Sequence, residues 1–587
     1  MTCQEKILSN DYADVITDFI IPEGMIRAPE EEYCQITLEQ DLQISYINRK
    51  YIERPSIRVL RYNSIPKCYG LMDAGTITPM QISEENADIF RNTSRVFDPQ
   101  PLIETGIIQT NGAPLNLTGR GVVIGFIDTG IRYDLEEFRR SDGSSRILAI
   151  WDQTIQSGTP PEGFEYGSEY TNEMINQALQ SQNPRDIVPS NDFIGHGTKM
   201  ASVAAGSILN GGTGFRGAAP DAQIVVVKCK EAKPYLKEYY QIPDEAVCFQ
   251  ENDILCGLKY LDNFAKIFQR PVIICIGIGT NLGDHMGTST LSAYLSRLAT
   301  RRSRGVVVCG GNEGNAASHY EGIIPITNGQ NYQDVEIRVG ENEEGFMLEL
   351  WGDIPNLFTV SIRSPSGEET GEAVYTPNQA FEFSFIYSES RVQVEYVLVE
   401  QSSGEELISM RFIKPISGIW TVRVYARGEN GDSRFNMWLP IEKFLRSDTY
   451  FLKSDPNTTI TAPGYPVNPI TVSTYDSRNG SLYYQSGRGF GRRGIIKPDL
   501  ASPGVNISTA LGTDSGSSLS AAIMAGAMAD FYQWAVVEEN DTIINTKTTR
   551  NYFLRGAVRD TSLEYPDPGW GYGKLSLSGV FEALAKS

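Results

Sequence analysis

The feature that most restricts the fold is a series of short, almost entirely apolar segments that alternate with segments of helical periodicity. The apolar segments read VVIGFID, AQIVVVK, PVIICIGIG and GVVVCGG, and stretches such as ENDILCGLKYLDNFAKIF lie between them. Strands that are apolar on both faces are typical of a parallel sheet, because helices cover both of its faces. The sequence therefore predicts an α/β domain built on a buried parallel sheet.

Between about residues 323 and 457 the periodicity changes to an alternation of apolar and polar residues. The segments VEIRV, FMLELW, FTVSIR and VQVEYVLVE show this alternation, and turn clusters such as SPSGEE and RGENGD separate the segments of this region. Alternation of this kind predicts strands with one buried face and one solvated face. We therefore predict an antiparallel β sandwich that is inserted into the α/β domain.

A third region precedes the α/β pattern. Residues 1–98 include LQISYINRKYIERPSIRVLRY, which predicts half-buried strands of a small α+β unit. A chain of 587 residues exceeds the size at which a single core stops growing, so several domains are expected. The predicted division is 1–98, an α/β domain over 99–322 and 458–587, and the insert over 323–457.

The charge balance excludes several classes of partner. The chain has 72 Asp and Glu against 51 Lys and Arg, a formal charge of -21. Such an excess repels phosphate backbones and anionic lipids, so neither nucleic-acid nor membrane-surface binding is expected. The longest apolar stretch, Val272 to Ile278, is far shorter than the roughly 20 residues of a membrane span. No secretory signal is recognisable, and eight scattered cysteines without a CxxC pair favour reduced thiols and a cytoplasmic location.

The chain has only three histidines, His196, His285 and His319, so the candidates for imidazole catalysis are few. His196 opens a helix of small residues in NDFIGHGTKMASVAAG, and Asp128 ends the first apolar strand, where ligands of open parallel sheets bind. Ser518 lies in DSGSSLSAAIMAGA, where a Gly-Ser turn leads directly into a helix. Each residue alone has an ordinary explanation: a packed histidine, a turn-capping aspartate and a helix N-cap serine.

Taken together, the three residues favour nucleophilic catalysis. The chain order Asp, His, Ser is one of the known orders of a catalytic triad. A serine hydroxyl is a weak nucleophile until an adjacent imidazole accepts its proton, and a buried carboxylate fixes the tautomer of that imidazole. Asn312, in VVVCGGNEGN at the end of a strand, is suited to donate a hydrogen bond to the resulting oxyanion. For Asn312 alone, a loop asparagine in a left-handed turn is the alternative.

These residues resemble the active-site signatures of the subtilisin-like serine proteases. The signatures appear as DTG with Asp128, HGT with His196, SGSSLSAA with Ser518 and NEG with Asn312. The resemblance implies a subtilisin-like three-layer α/β fold and a serine endopeptidase that acts on proteins or peptides. It covers about residues 102–323 and 461–584.

The same resemblance implies a substrate cleft. The residues that would line its first specificity pocket are Gly277, Ile278, Gly279, Cys309, Gly310, Gly311 and Gly464. The serine turn departs from the family at Ser517, Leu519 and Ala522, where threonine, methionine and proline are usual, but no reacting group is lost. The family's calcium-binding loop is not recognisable in GSILNGGTGFRGAAP, so neither a metal nor a cofactor is assigned.

The resemblance also implies that residues 1–98 are a propeptide. Subtilase propeptides assist folding, are cut off by the enzyme itself and bind its cleft as an inhibitor. The alignment places the autoprocessing junction at Phe97, Asp98, Pro99 and Gln100. A second possible junction is Met72–Asp73 in KCYGLMD.

A narrower resemblance is to the clostridial Csp germination proteases and related clostridial subtilases. Those proteins lack a conventional signal, have a propeptide that begins much like ILSNDYADVI, and carry a jelly-roll β domain between the asparagine and serine signatures. The resemblance implies a cytoplasmic or spore-associated protease that activates the precursor of a spore-cortex hydrolase. Two alternatives are open: a catalytically idle scaffold that retains its propeptide, and a general clostridial protease, secreted or not, that is unrelated to spores.

Overall fold

The computed structural model describes residues 97–586 except 210–213, 326–330, 376–379 and 428–431; before residue 97 it describes the backbone of four strands. The strands are β1 (Tyr33–Leu38), β2 (Ile44–Asn48), β3 (Gly70–Leu71), β4 (Pro79–Ile82), β5 (Val123–Asp128), β6 (Ile147–Asp152), β7 (Ser168–Thr171), β8 (Gln223–Lys228), β9 (Phe249–Gln250), β10 (Val272–Ile276), β11 (Ile278–Gly279), β12 (Arg304–Cys309), β13 (His319–Ile324), β14 (Tyr332–Val339), β15 (Gly345–Gly352), β16 (Phe358–Arg363), β17 (Phe381–Ser384), β18 (Arg391–Val397), β19 (Glu406–Ile413), β20 (Gly418–Ala426), β21 (Ser433–Trp438), β22 (Tyr450–Phe451), β23 (Ile470–Tyr475), β24 (Leu500–Pro503), β25 (Ile507–Thr509) and β26 (Gly512–Asp514). The helices are α1 (Gln100–Glu104), α2 (Ile107–Asn111), α3 (Asn172–Gln180), α4 (Pro184–Ile187), α5 (His196–Ala205), α6 (Pro234–Tyr240), α7 (Glu251–Ile267), α8 (Thr290–Ala299), α9 (Ser517–Tyr532), α10 (Thr546–Gly556) and α11 (Leu577–Lys586).

The central sheet has the strand order β24-β23-β12-β10-β5-β8-β6-β7. Its neighbouring strands run parallel, except for the pair of β6 and the edge strand β7. Side chains of β5 point alternately to two cores: Ile124 and Phe126 pack with α5 and α9, whereas Val123 and Ile127 pack with α7 and α8. This arrangement confirms the predicted three-layer α/β fold.

Helix α9 runs through the core behind the site described below. All of its residues are buried, and most of them are small or apolar. The small residues allow close packing, since a Cβ on Gly526 would lie 2.4 Å from the Cβ of Ala218. A segment with such apolar character on every side is expected to be buried on every side, and α9 is.

The predicted β insert consists of two antiparallel sheets. Their strand orders are β13-β21-β15-β19-β18-β17 and β16-β20-β14-β22. The two sheets share one apolar core, in which Trp420 contacts Phe412 edge to face and Phe358 packs against Phe435. This confirms an inserted antiparallel sandwich, and its first strand begins at His319, slightly before the boundary expected at residue 323.

One strand of the insert departs from the burial that its alternating sequence predicts. All residues of β15 are buried, including Glu349, because its outer face packs against the α/β domain. The Glu349 carboxylate accepts hydrogen bonds from Gly283 N (2.8 Å) and Trp351 Nε1 (3.0 Å). Burial raises the pKa of Glu349 above its usual value. The face of β15 that points away from the sandwich core, which includes Glu349, therefore forms an interdomain contact rather than a solvated face.

A buried ion pair at this contact leads to a stability prediction. The Arg492 side chain is 2% exposed and pairs with Glu405 and Asp353 of the insert. We expect Arg492→Met to lower the free energy of unfolding by about 3–5 kcal/mol, because it leaves the buried Glu405 carboxylate less compensated. Urea denaturation followed by tryptophan fluorescence would measure the change.

Arg493 provides the matched control for that substitution. It pairs with the same Glu405, but its side chain is 41% exposed. Solvent reaches the Arg493 guanidinium and weakens its ion pair, and Arg492 still compensates Glu405 when Arg493 is replaced, so Arg493→Met should cost clearly less than Arg492→Met. Equal losses in the two variants would contradict the importance of burial.

Candidate active site

Two of the predicted catalytic residues, Asp128 and His196, are in direct contact. Asp128 is the last residue of β5 and His196 is the first residue of α5. His196 Nδ1 lies 2.7 Å from Asp128 Oδ1, and both side chains are 1% exposed. With Nδ1–H donating to the carboxylate, the neutral imidazole has its basic lone pair on Nε2. The pair is therefore held in the tautomer that a general base requires.

Two neighbouring features hold His196 in this position. A Cβ on Gly197 would lie 2.3 Å from Gly130 O and 3.2 Å from Asp128 Oδ1, so glycine permits the close approach of α5 to β5. Asp192 accepts hydrogen bonds from Gly195 N (2.7 Å) and Thr198 N (2.9 Å) at the start of the helix. Asp192 was not among the predicted site residues. The local pattern that indicates its role is an aspartate shortly before a helix start, which is typical of N-terminal capping.

The other two histidines have structural roles. The rings of His285 and His319 both stack on Trp438, with centroid distances of 3.9 Å and 4.7 Å. Burial lowers the pKa of His285 to about 3 and also lowers that of His319, so both rings are neutral near pH 7. They brace the contact between the α/β domain and the insert. Of the three histidines, only His196 contacts a predicted catalytic residue.

Asn312 contacts the start of α9, at the residue that precedes Ser518. Ser517 N donates a hydrogen bond of 3.0 Å to Asn312 Oδ1. Asn312 Nδ2 is buried and makes no hydrogen bond to any described residue, so this donor is available for a ligand. Ser518 is buried in the first turn of α9, and the N-cap residue is Gly516. The N-cap explanation of Ser518 is therefore wrong, because the helix begins one residue before it.

The three departures in the serine turn leave the helix regular. Leu519 and Ala522 are buried in the core between α9 and the sheet, and α9 is continuous from Ser517 to Tyr532. The Ser517 hydroxyl is buried and has no hydrogen-bond partner among the described residues. Serine in place of threonine keeps this hydroxyl and lacks only a methyl group, which is compatible with the continuous helix α9.

The residues predicted to line the substrate pocket lie in two backbone segments, 277–279 and 309–311, and at Gly464. A Cβ on Gly277 would lie 3.2 Å from His196 Cε1, which places the segment 277–279 beside the imidazole. The second segment, 309–311, leads directly to Asn312. Thr461 N donates to Gly310 O (3.2 Å), so the chain that leads to Gly464 adjoins the second segment. The structure thus brings the predicted pocket residues together.

A model of the subtilase family matches residues 119–361 and 417–573 of this chain. The chain belongs to the subtilase family. The subtilisin-like protease SBT3.5 of Arabidopsis thaliana is 30% identical over 229 residues, which are 35% of this chain and 27% of that protein. SBT3.4 of the same plant is 25% identical over 516 residues, 78% of this chain and 62% of that protein. The chain thus spans less than two thirds of the length of these relatives.

A solved structure resembles most of this subtilase. The CspB protease of Clostridium perfringens superimposes with a TM-score of 0.73 at 28% sequence identity. The superposition covers 84% of this chain and 100% of that one. Because the matched part includes far more than the catalytic signatures, the likeness confirms the subtilisin-like fold of the subtilase.

The residues predicted as the autoprocessing junction are docked on the α/β domain of the subtilase. Asp98 N donates to Ser508 Oγ (3.1 Å), and the Asp98 carboxylate pairs with Arg478 at 2.9 Å. The Phe97 ring contacts Phe215 with a centroid distance of 5.8 Å. Gln100 begins α1. The alternative junction, Met72–Asp73, lies outside the described residues.

An earlier segment of the N-terminal region lies at the predicted substrate cleft. Strand β4 pairs antiparallel with β11, so that Gln81 is opposite Gly279 and Ile82 is opposite Ile278. The other edge of β4 pairs with β9. The segment of the subtilase predicted to bind substrate therefore already has a strand of the same chain beside it.

In the described parts of the chain, none of the helices combines the length and apolar character that crossing a membrane requires. The described residues also contain no group of three or more His, Cys, Asp or Glu that could hold a metal ion.

Proposed function

We propose that this subtilase is a serine endopeptidase with Ser518 as nucleophile, His196 as general base and Asp128 as the group that orients His196. The buried contact of 2.7 Å between His196 Nδ1 and Asp128 Oδ1 carries the proposal. Of the three histidines, only His196 contacts a carboxylate at the end of a parallel strand. That is the position where ligands of such sheets bind.

The proposed reaction has two halves. Ser518 Oγ attacks the peptide carbonyl carbon while its proton passes to His196 Nε2, and the imidazolium then protonates the leaving amine. The acyl-enzyme that remains is an ester of Ser518. Water attacks this ester with His196 again as the base, which releases the carboxylate product and restores the serine. Asp128 stays ionised throughout and stabilises the imidazolium.

Asn312 is proposed to stabilise the tetrahedral intermediate. Its Oδ1 is engaged by Ser517 N, which fixes the amide plane next to the nucleophile and leaves Nδ2 as a donor. A donor fixed in advance stabilises the developing oxyanion without reorganising at the moment of reaction.

The replacement Asn312→Ala should lower kcat by about 10²–10³ and change KM little, because the oxyanion forms only after substrate is bound. This range is the known effect of removing the equivalent donor in subtilisin. Initial rates on a fluorogenic peptide would measure it. Asn468→Ala is the control, since Asn468 Nδ2 bonds to Ser296 away from the pocket. A loss below threefold with intact folding would remove Asn312 from this role.

We further propose that the N-terminal residues act as propeptide, substrate and inhibitor of the same chain. The pairing of β4 with β11 supports this proposal, because an antiparallel partner of β11 runs towards Gly277 and hence towards His196. On this basis a cut is expected shortly after Ile82. The junction at Phe97–Gln100 is the second position to test, and the intact mass of the processed protein distinguishes the two.

The likeness to the CspB protease supports the narrower proposal that the substrate is the precursor of a spore-cortex hydrolase. The superposition covers 84% of this chain and 100% of the CspB chain. Incubation of the purified enzyme with that precursor, followed by mass spectrometry, tests the proposal. A precursor that remains intact while a peptide substrate is cut would favour a general protease.

A further inference from the structure

The two segments 277–279 and 309–311 are the proposed walls of the first specificity pocket. The side chain of Thr461 lies in the gap between them. A Cβ on Gly279 would lie 2.5 Å from Thr461 Oγ1, and a Cβ on Gly311 would lie 2.6 Å from Thr461 Cγ2 and Oγ1. The Thr461 hydroxyl thus occupies the space that a side chain on either glycine would need. Thr461 is 4% exposed. A substrate side chain entering between the walls would meet Thr461 at once.

We infer that Thr461 closes the first specificity pocket and limits the substrate residue before the scissile bond to glycine, alanine or serine. This inference rests on the proposed endopeptidase function and deepens it. Thr461 acts here by occupying volume, so it is a specificity-determining residue rather than a catalytic one.

The backbone around Thr461 prevents the side chain from moving aside. Thr461 N donates to Gly310 O on one wall (3.2 Å). The next residue, Ala462, exchanges two backbone hydrogen bonds with Thr280 on the other wall, at 2.8 and 3.0 Å. A β-branched side chain on a backbone fixed on both sides has few rotamers to choose from. The backbone of Thr461 is therefore held between the walls, and the side chain can leave the gap only through one of few alternative rotamers.

The only acidic residue next to Asn312 is already engaged. Glu313 is 9% exposed, and its Oε2 accepts hydrogen bonds from Asn281 Nδ2 (3.3 Å) and from Glu442 N of the insert (3.2 Å). Burial raises the pKa of Glu313 to about 7, so its charge is partly lost near neutral pH. Glu313 is thus not positioned to attract a lysine or arginine side chain. A short, uncharged side chain fits both the volume and the electrostatics.

The test compares peptides that differ only in the residue before the scissile bond. For the processed wild-type enzyme, kcat/KM for alanine should exceed that for phenylalanine or leucine by at least about 100-fold, since a filled pocket excludes large groups sterically. In Thr461→Gly this ratio should fall by at least about tenfold. Thr461→Val, which keeps the volume, should retain the wild-type ratio within about threefold. Thr459→Gly is the control for loosening of the same segment, because Thr459 is equally buried but its hydroxyl accepts from Arg488 N.

Each outcome decides the inference. A wild-type enzyme that cuts after phenylalanine as well as after alanine overturns it, whether or not the Thr461 variants fold. An unchanged ratio in folded Thr461→Gly, or an equal change in Thr459→Gly, also overturns it. Labelling by a fluorophosphonate separates this failure from that of the proposed function, because an enzyme that is neither labelled nor active on any peptide lacks the serine chemistry itself.

Discussion

Purified Ser518→Ala is expected to stay at its full length, whereas the wild-type protein produced in parallel is expected to appear as two fragments. Without the hydroxyl there is no nucleophile, so peptide hydrolysis should fall by about 10⁶, which is the loss known for the same replacement in subtilisin. Intact-mass spectrometry of both preparations checks the result. The fragment masses also locate the cut, either shortly after Ile82 or at Phe97–Gln100.

Ser520→Ala is the matched control for this experiment. Ser520 lies in the same turn of α9 and is equally buried, but its hydroxyl bonds to Thr474 Oγ1 (3.0 Å) and Ser502 O (3.1 Å). It should process itself like the wild type. If wild type and Ser518→Ala both stay whole, fluorophosphonate labelling distinguishes an enzyme that needs an activator from an idle scaffold. Processing by Ser518→Ala would contradict the assignment of the nucleophile.

Asp128→Asn should lower kcat by about 10⁴ while the fold and KM stay close to those of the wild type. An asparagine can donate its amide hydrogen to His196 Nδ1, which moves the ring proton to Nε2. In that tautomer the nitrogen that should receive the serine proton already has one. Steady-state kinetics on a peptide, together with the rate of fluorophosphonate labelling, would measure the loss.

Asp142→Asn controls for removing one negative charge from the protein. Asp142 is in an exposed turn, where its carboxylate accepts from Ser144 N (2.9 Å). This variant should keep wild-type rates. A similar loss in both variants, or a loss of less than tenfold in Asp128→Asn, would contradict the orienting role of Asp128.

The architecture was predictable wherever burial was encoded locally. Segments such as that at Val272–Ile276 are apolar on both faces, and a strand of this kind has a stable place only inside a sheet covered on both sides. The insert was recognised by its change of period. The predicted solvent exposure of one face was wrong for β15. That face meets the α/β domain and is buried, although Glu349 lies on it.

The candidate site was predictable as a set of residues but not as an arrangement. The signatures around Asp128, His196, Asn312 and Ser518 identify the chemistry, because each is a short motif at a strand end or helix start. No local pattern indicates that His285 and His319 stack on Trp438, which is more than a hundred residues away in sequence from each. For Asp192 the only local pattern was an aspartate shortly before a helix start, which does not distinguish it from other capping residues.

By itself, the sequence determined the fold class, the family and the four residues proposed for catalysis. These follow from periodicity and from motifs of a few adjacent residues. Only the tertiary structure decided that His285 and His319 stack on Trp438, that Asn312 Nδ2 has no partner among the described residues, and that Thr461 lies between Gly279 and Gly311. The physical reason is that volume, burial and hydrogen-bond satisfaction at a site depend on segments brought together from distant parts of the chain. A linear pattern contains no distances between such segments.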